Sequence, residues 1–177
     1  MPVLSTLEDL LMLEHSRRNT DLVSGLILQK PEIFDQLMEL FLRNEEPVSR
    51  RAAWVIDSVS EEKEDLLQPY VPDIIAALPG FKHDGMKRHS LRMIARSDIP
   101  DRQTGELMNI CFEWLLSPHE AVAAKVYCID ILYRLSQTEP DLKTELADSI
   151  EWRLNEESPG FRNHGAKVLA KLYKEMK

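Results

Sequence analysis

The chain has 177 residues, of which 44% are hydrophobic and 29% are charged, and this composition is typical of an ordinary globular protein with one continuous core. The formal net charge of −8 disfavours binding to nucleic acid or to an anionic membrane surface unless positive charge is concentrated locally. Two cysteines, no secretion-signal pattern and no run of about 18 apolar residues favour a reducing, cytoplasmic location and no membrane association.

Helical periodicity extends along the chain, and strand signals are almost absent. We expect pairs of helices, each made of a first (A) and a second (B) helix, joined by short segments rich in Pro, Gly, Asp and Ser. The A helices are predicted near residues 6–15, 31–43, 66–78, 105–116 and 141–155. The B helices are predicted near residues 19–29, 48–60, 85–97, 118–136 and 160–175.

Three motifs predict helix starts. Ser117-Pro118-His119-Glu120 combines an N-cap hydroxyl, a proline at the first helical position and an N3 glutamate that can close a capping box. Ser5-Thr6-Leu7-Glu8 is a weaker form of the same box, and Ser158-Pro159 repeats the cap and the proline. These motifs place starts at the first A helix and the last two B helices.

The third A helix is expected to be irregular. Pro69 and Pro72 lie close to its start, and proline lacks the N–H that a helix interior needs. We therefore predict a broken first turn, with regular helix from about Pro72, and an end at Pro79-Gly80.

The helices form a repeat. Val48, Met86, Val122 and Phe161 lie at matching points of four B helices, and the differences 86−48, 122−86 and 161−122 give spacings of 38, 36 and 39 residues. A period of this size with only helical signals is typical of stacked helix pairs, whose apolar stripes need neighbours. We predict an all-α fold: a right-handed α-solenoid of about five antiparallel helix pairs, in one domain over residues 1–177.

Two segments resemble HEAT repeats of the armadillo-like α-helical repeat family. Glu46-Pro47-Val48-Ser49-Arg50-Arg51-Ala52-Ala53 resembles the opening of a HEAT B helix, with one residue inserted between the valine and the arginine. Gln68-Pro69-Tyr70-Val71-Pro72-Asp73-Ile74-Ile75-Ala76-Ala77-Leu78 resembles the A-helix pattern. The resemblance covers most of the chain in period and its middle best in motif. It implies a binding scaffold and carries no catalytic residue.

Positive charge is concentrated near two B helices. Residues 82–97 have five basic residues and one acidic residue, 5−1=+4, and residues 159–177 have the same balance. B helices line the inner face of such solenoids, so we expect a basic ridge with one aromatic residue on the concave face. The ridge residues are Arg50, Trp54, Arg88, Arg92, Arg96, Lys167 and Lys171.

Arginine on this ridge favours an anionic partner, because its planar fork pairs with carboxylate or phosphate. The alternative is a solvated helix face whose charges are balanced by acidic neighbours. The fourth repeat interrupts the ridge with Ala124, Cys128 and Leu132 at the matching positions.

Two classes of function fit the ridge. The first is a non-catalytic protein–protein interaction module that holds an acidic segment of an unidentified partner through Arg50, Arg88, Arg92, Lys167 and Lys171. The alternative is a nucleic-acid-binding protein resembling the HEAT-like DNA glycosylases of alkylation repair, which use tryptophan, aspartate and arginine in a concave groove. Its candidates are Arg51, Trp54, Asp57, Arg88 and Arg92. The acidic charge disfavours it, because phosphate neutralisation supplies most non-specific affinity.

Other chemistry has no positive signal in the sequence. There is no nucleophile elbow, P-loop or GxGxxG run, and none of the five histidines belongs to a recognisable ligand set, so we expect no enzyme activity, no cofactor and no metal. His89 and His164 share a B-helix position with Arg51 and Lys125. We predict that this position supplies a polar partner near the repeat junction rather than a proton-transfer group.

Overall fold

The structure is a computed structural model that describes residues 6–177, and all regular structure in this range is helical. The all-α prediction is therefore confirmed, with packed helix pairs. The chain divides between Ile99 and Pro100 into two compact units. The prediction that residues 1–177 form a single domain stays a prediction.

The first unit is built around one central helix. Its helices are α1 (Leu7–Met12), α2 (Arg17–Gln29), α3 (Phe34–Leu42), α4 (Val48–Glu62), α5 (Glu64–Leu67), α6 (Val71–Ala77) and α7 (Asp84–Arg96). Helix α4 contacts α1, α2, α3 and α7. It is therefore surrounded by neighbours, as the apolar stripe of a B helix requires.

The sequence of α4 explains this central position. Ala52, Ile56 and Val59 fall on one stripe and are fully buried, and burial of an isoleucine-sized side chain is worth about 1.5–3 kcal/mol. Ser49 fixes the entry to the helix, because its hydroxyl donates to the Leu40 carbonyl at 2.7 Å and accepts from the Glu45 N–H at 2.8 Å. The hydrogen bonds of Ser49 and the burial of this stripe therefore favour the same orientation of the helix.

The third A helix is broken as predicted. Single 3₁₀ turns at Gln68–Tyr70 and Leu78–Gly80 flank the seven residues of α6, which begins at Val71. Pro69 and Pro79 each lie in one of these turns. Their lack of an N–H therefore does not cost an α-helical hydrogen bond.

The second unit consists of two helix pairs. Its helices are α8 (Asp101–Leu116), α9 (Val122–Leu135), α10 (Leu142–Leu154) and α11 (Pro159–Glu175). Helix α9 contacts the other three, and its side chains Cys128, Ile129, Ile131 and Leu132 are fully buried. This helix is therefore enclosed by its neighbours within the unit.

The predicted start of the fourth B helix at Pro118 is wrong, because α9 begins at Val122. The Ser117 N–H donates to the carbonyls of Glu113 and Trp114, so this residue ends α8. Its hydroxyl accepts from the His119 N–H at 3.1 Å, within the connecting turn. The serine therefore serves the preceding helix rather than the following one.

The other two predicted helix starts are close to those in the structure. At the first helix the capping box is formed by Thr6 and Asp9, one residue later than predicted, and Ser5 lies outside the described residues. Ser158 caps α11 as predicted, since its hydroxyl accepts from the Phe161 N–H and proline occupies the first turn.

One close helix contact can be tested by adding a methyl group. At Gly165 of α11 such a group would lie 2.9 Å from Ile150 Cγ2 and 3.4 Å from Leu154 Cδ2. We expect Gly165→Ala to lower the free energy of unfolding by about 1 kcal/mol, because overpacking outweighs the gain in helix propensity. Gly105→Ala in α8 is the control, since nothing lies within 4 Å, and it should be neutral or stabilising. Urea unfolding that shows both variants equally stable would contradict this packing.

Candidate functional site

Asp57 of α4 is the centre of a buried charge cluster. Its side chain is 0% exposed, and three donors from α7 surround it. His89 Nδ1 and Arg92 Nη1 lie 2.7 and 2.8 Å from Oδ2, and Arg96 Nη2 lies 2.6 Å from Oδ1. Because an ionised carboxylate only accepts, the His89 hydrogen is on Nδ1. The structure thus brings together three predicted candidates, Asp57, Arg92 and Arg96.

The cluster keeps the carboxylate charged. Burial raises the pKa of Asp57, but the hydrogen bonds from His89 and Arg96 outweigh it and hold the pKa below the ordinary value of 3.8. Arg96 also donates to the Asp57 carbonyl at 2.8 Å and to the Ser60 hydroxyl at 2.6 Å. Removing one partner from a buried pair of this kind costs about 3–5 kcal/mol.

The ridge arginines of the first unit have intramolecular partners. Arg92 bridges Asp57 and Glu61, and the Arg50 Nε lies 2.9 Å from Glu46 Oε2. Arg50, Arg92 and Arg96 pair with three carboxylates, 3−3=0, which belong to Glu46, Asp57 and Glu61. Arg51 and Arg88 instead contact the Leu11 carbonyl and the His89 ring. The carboxylates come from α4 and the residues before it, not from A helices.

Trp54 is packed between two histidines. The His15 ring meets it edge-on at a centroid distance of 5.8 Å, and the His89 ring is stacked at 6.4 Å. Such pairs contribute about 0.5–1.5 kcal/mol beyond area burial. Burial, followed by the charges of Arg50 and Arg51, lowers the pKa of His15 and so favours the neutral ring. The indole is half-buried and fixed in place before any partner binds.

Arg88 extends the cluster to the surface. It is exposed, and its Nη2 lies 3.3 Å from His89 Nε2, the ring nitrogen that faces away from Asp57. A hydrogen-bonded series therefore runs from Arg88 through His89 to the buried carboxylate. The Arg51 side chain is not part of this series, because its Nη1 donates to the Leu11 carbonyl at 3.0 Å.

The polar junction position is confirmed in both units. Arg51, His89, Lys125 and His164 each lie three residues after the matching repeat points, 51−48=89−86=125−122=164−161=3. Each finds a polar partner in its own unit: the Leu11 carbonyl, Asp57, Glu157 and Asp130 respectively. His164 Nε2 lies 2.7 Å from Asp130 Oδ1. This position therefore ties neighbouring elements together.

Packed helix pairs and a recurring polar junction are the properties of a helical repeat array. A family model for the HEAT repeat domain matches residues 7–172. The chain belongs to the HEAT repeat family. HEAT repeat domains are commonly protein-interaction scaffolds and are usually non-catalytic. No curated protein and no solved structure matches the chain.

Residues 6–177 of the HEAT repeat chain contain neither a candidate membrane span nor a candidate metal site. Between residues 6 and 177, no helix combines the length and apolar character needed to cross a membrane. Over the same range, no group of three or more His, Cys, Asp or Glu side chains is placed to hold a metal ion.

The second unit has its own buried ionic group, which sequence reasoning missed. Lys125 Nζ and Arg153 Nη2 both lie 2.5 Å from Glu157 Oε1, and all three side chains are buried. Burial raises the pKa of Glu157, but the hydrogen bonds from Lys125 and Arg153 outweigh it and lower the pKa. The available signal was a lysine at the junction position of α9, on the side of the helix where Ala124, Cys128 and Ile129 are buried.

The remaining ridge residues, Lys167 and Lys171, lie on α11 of the second unit. Both are exposed. The Lys171 ammonium lies 5.4 Å from the centre of the Tyr133 ring, a cation–π contact that orients this side chain. Both lysines are therefore accessible to a ligand, and Lys171 is in addition held by its contact with Tyr133.

Neutralising Asp57 tests the first-unit cluster. We expect Asp57→Asn to lower the free energy of unfolding by about 3 kcal/mol at pH 7, because Arg92 and Arg96 lose their buried anion. The folded pKa lies below 3.8, so the wild-type advantage is fully present above that pH and declines as the pH falls below it. Urea unfolding from neutral to acidic pH measures both effects.

Glu62→Gln is the control for the charge change, because this residue is exposed at the end of the same helix. It should change the free energy of unfolding by less than about 0.5 kcal/mol. An Asp57→Asn deficit that persists unchanged in acid would show that the carboxylate charge is not its cause.

Proposed function

We propose that this HEAT repeat chain is a non-catalytic module that binds an acidic segment of a protein partner on the α4–α7 face. This face consists of Arg50, Trp54, Arg88 and Arg92. The proposal rests chiefly on one observation: Arg92 is held by Asp57 and Glu61 while 41% of its side chain remains exposed. A guanidinium fixed in this way keeps outward N–H donors and loses little rotamer entropy on binding.

The neighbouring residues support the same proposal. Trp54 is fixed between His15 and His89, so it offers a rigid aromatic edge of the kind that anchors interfaces. Arg88 is exposed, its Nη2 lies 3.3 Å from Nε2 of the His89 ring that stacks on Trp54, and it provides a donor that an incoming carboxylate can reach. A face with rigid apolar and cationic groups fits a partner that presents acidic side chains around an apolar residue.

The geometry gives less support to the nucleic-acid alternative. Asp57, which that function would need in an open groove, is fully buried and occupied by three donors. The acidic partners of Arg50 and Arg92 reduce the positive charge that a phosphate backbone would meet. An intact base would also have to displace His89 from its stacked position on Trp54.

Charge reversal on the α4–α7 face tests the proposal. A fluorescein-labelled peptide of alternating glutamate and leucine is titrated with the wild-type chain and with Arg88→Glu. We expect the variant to bind about tenfold more weakly, because one attractive charge becomes repulsive. Arg102→Glu is the matched control, because Arg102 is an exposed arginine in the first turn of α8, and this variant should bind as the wild type does.

Two further arms separate the alternatives. Lys167→Glu combined with Lys171→Glu asks whether α11 contributes to the same peptide affinity. A DNA duplex replaces the peptide in parallel, and a measurable affinity with a steep salt dependence would favour the nucleic-acid function. Equal peptide binding by Arg88→Glu and the wild type would refute the role of the α4–α7 face.

A further inference from the structure

Trp152 of α10 is the most exposed large hydrophobic side chain of residues 6–177, with 73% of its surface accessible. Its orientation is fixed by the helix, because Leu146, Ile150 and Arg153 of the same helix are buried. An exposed tryptophan leaves a large apolar surface in water, although a small polar side chain would be enough at a position that only faces solvent.

Carboxylates share the face of Trp152. Glu145 and Asp148 precede it by seven and four residues, so they lie on the same side of the helix, and both are exposed. Asn155, three residues later, is exposed on this side as well. We call these four residues the Trp152 face.

The negative charge of this face is not cancelled internally. Within residues 6–177, neither Glu145 nor Asp148 has an ion-pair partner. The two cations of α10 are engaged elsewhere: Arg153 binds Glu157 at 2.5 Å and Glu156 at 2.9 Å, and Lys143 lies 3.0 Å from Glu175. The α10 surface therefore combines an open indole ring with two available carboxylates.

We propose that the Trp152 face docks an arginine-rich segment of a protein partner. One guanidinium of that segment stacks on the indole, since tryptophan has the strongest cation–π attraction of the aromatic side chains and arginine stacks flat on it. Neighbouring basic residues pair with Glu145 and Asp148, whose negative charges disfavour anionic membranes and nucleic acid at this face. The site differs from the α4–α7 face in the sign of its charge.

A second copy of the chain is the main competing occupant. The exposed face of α11 has Lys167, Lys171 and Lys174, which could supply cations to the α10 face of another molecule. Such a contact would join two different surfaces, and contacts of this type extend into open chains unless the rotation closes. The planar stacking geometry of Trp152 favours arginine over these lysines.

The test uses the whole chain and a fluorescein-labelled hexa-arginine peptide, with hexa-lysine of equal charge as comparison, in fluorescence polarisation. We expect the wild type to bind hexa-arginine more tightly than hexa-lysine. Trp152→Ala should weaken hexa-arginine binding by about tenfold and remove the preference for arginine. Glu145→Gln combined with Asp148→Gln should weaken both peptides and flatten the salt dependence.

Leu116→Ala is the matched control, because this leucine is another exposed apolar residue of the same unit, and it should leave both affinities unchanged. Trp152→Phe keeps a ring and should retain part of the affinity, while circular dichroism confirms that each variant is folded. Unchanged binding by Trp152→Ala would overturn the proposal. Concentration-dependent self-association in sedimentation, lost in both Trp152→Ala and Lys171→Glu, would overturn it in favour of a second copy.

Discussion

The buried carboxylate of Asp57 is the constraint on which the first unit depends. A fully buried anion is tolerated only with several donors, and the donors that it has are His89, Arg92 and Arg96 of the next B helix. The charge therefore fixes how α4 and α7 pack. It also fixes the exposed surface, because Arg92 leaves this cluster toward Glu61 and solvent. Stability and surface pattern in this unit thus have one electrostatic origin.

The repeat period and the composition of short segments predicted most of the fold, because these signals are local. The third A helix is interrupted at its prolines, as predicted. The residue at the junction position has a polar partner in each of the four repeats for which it was predicted. The start of α9 could not be predicted in the same way. The Ser117 motif suits a helix start, but the last carbonyls of α8 compete for the same residue.

The sequence predicted which residues belong to the candidate site, but it did not predict which of them pair with one another. Asp57 follows Ala53 by four residues and precedes Ser60 by three, so it lies on a buried stripe, and this signal of burial was available in the sequence. Its partners were not available, because they lie 32 to 39 residues away on another helix. The exposure of Trp152 likewise depends on what packs around α10, which periodicity does not specify.

The pairing of the arginines changes how the α4–α7 face would recognise a ligand. An unpaired ridge attracts any anion, whereas arginines already bound to Asp57 and Glu61 have little net charge to offer at long range. What they offer is N–H donors in fixed directions, which only a carboxylate of matching geometry can use. Internal pairing therefore lowers general attraction and raises selectivity. For a chain with a net charge of −8, this makes recognition of a shaped acidic protein surface physically more reasonable than capture of a polyanion.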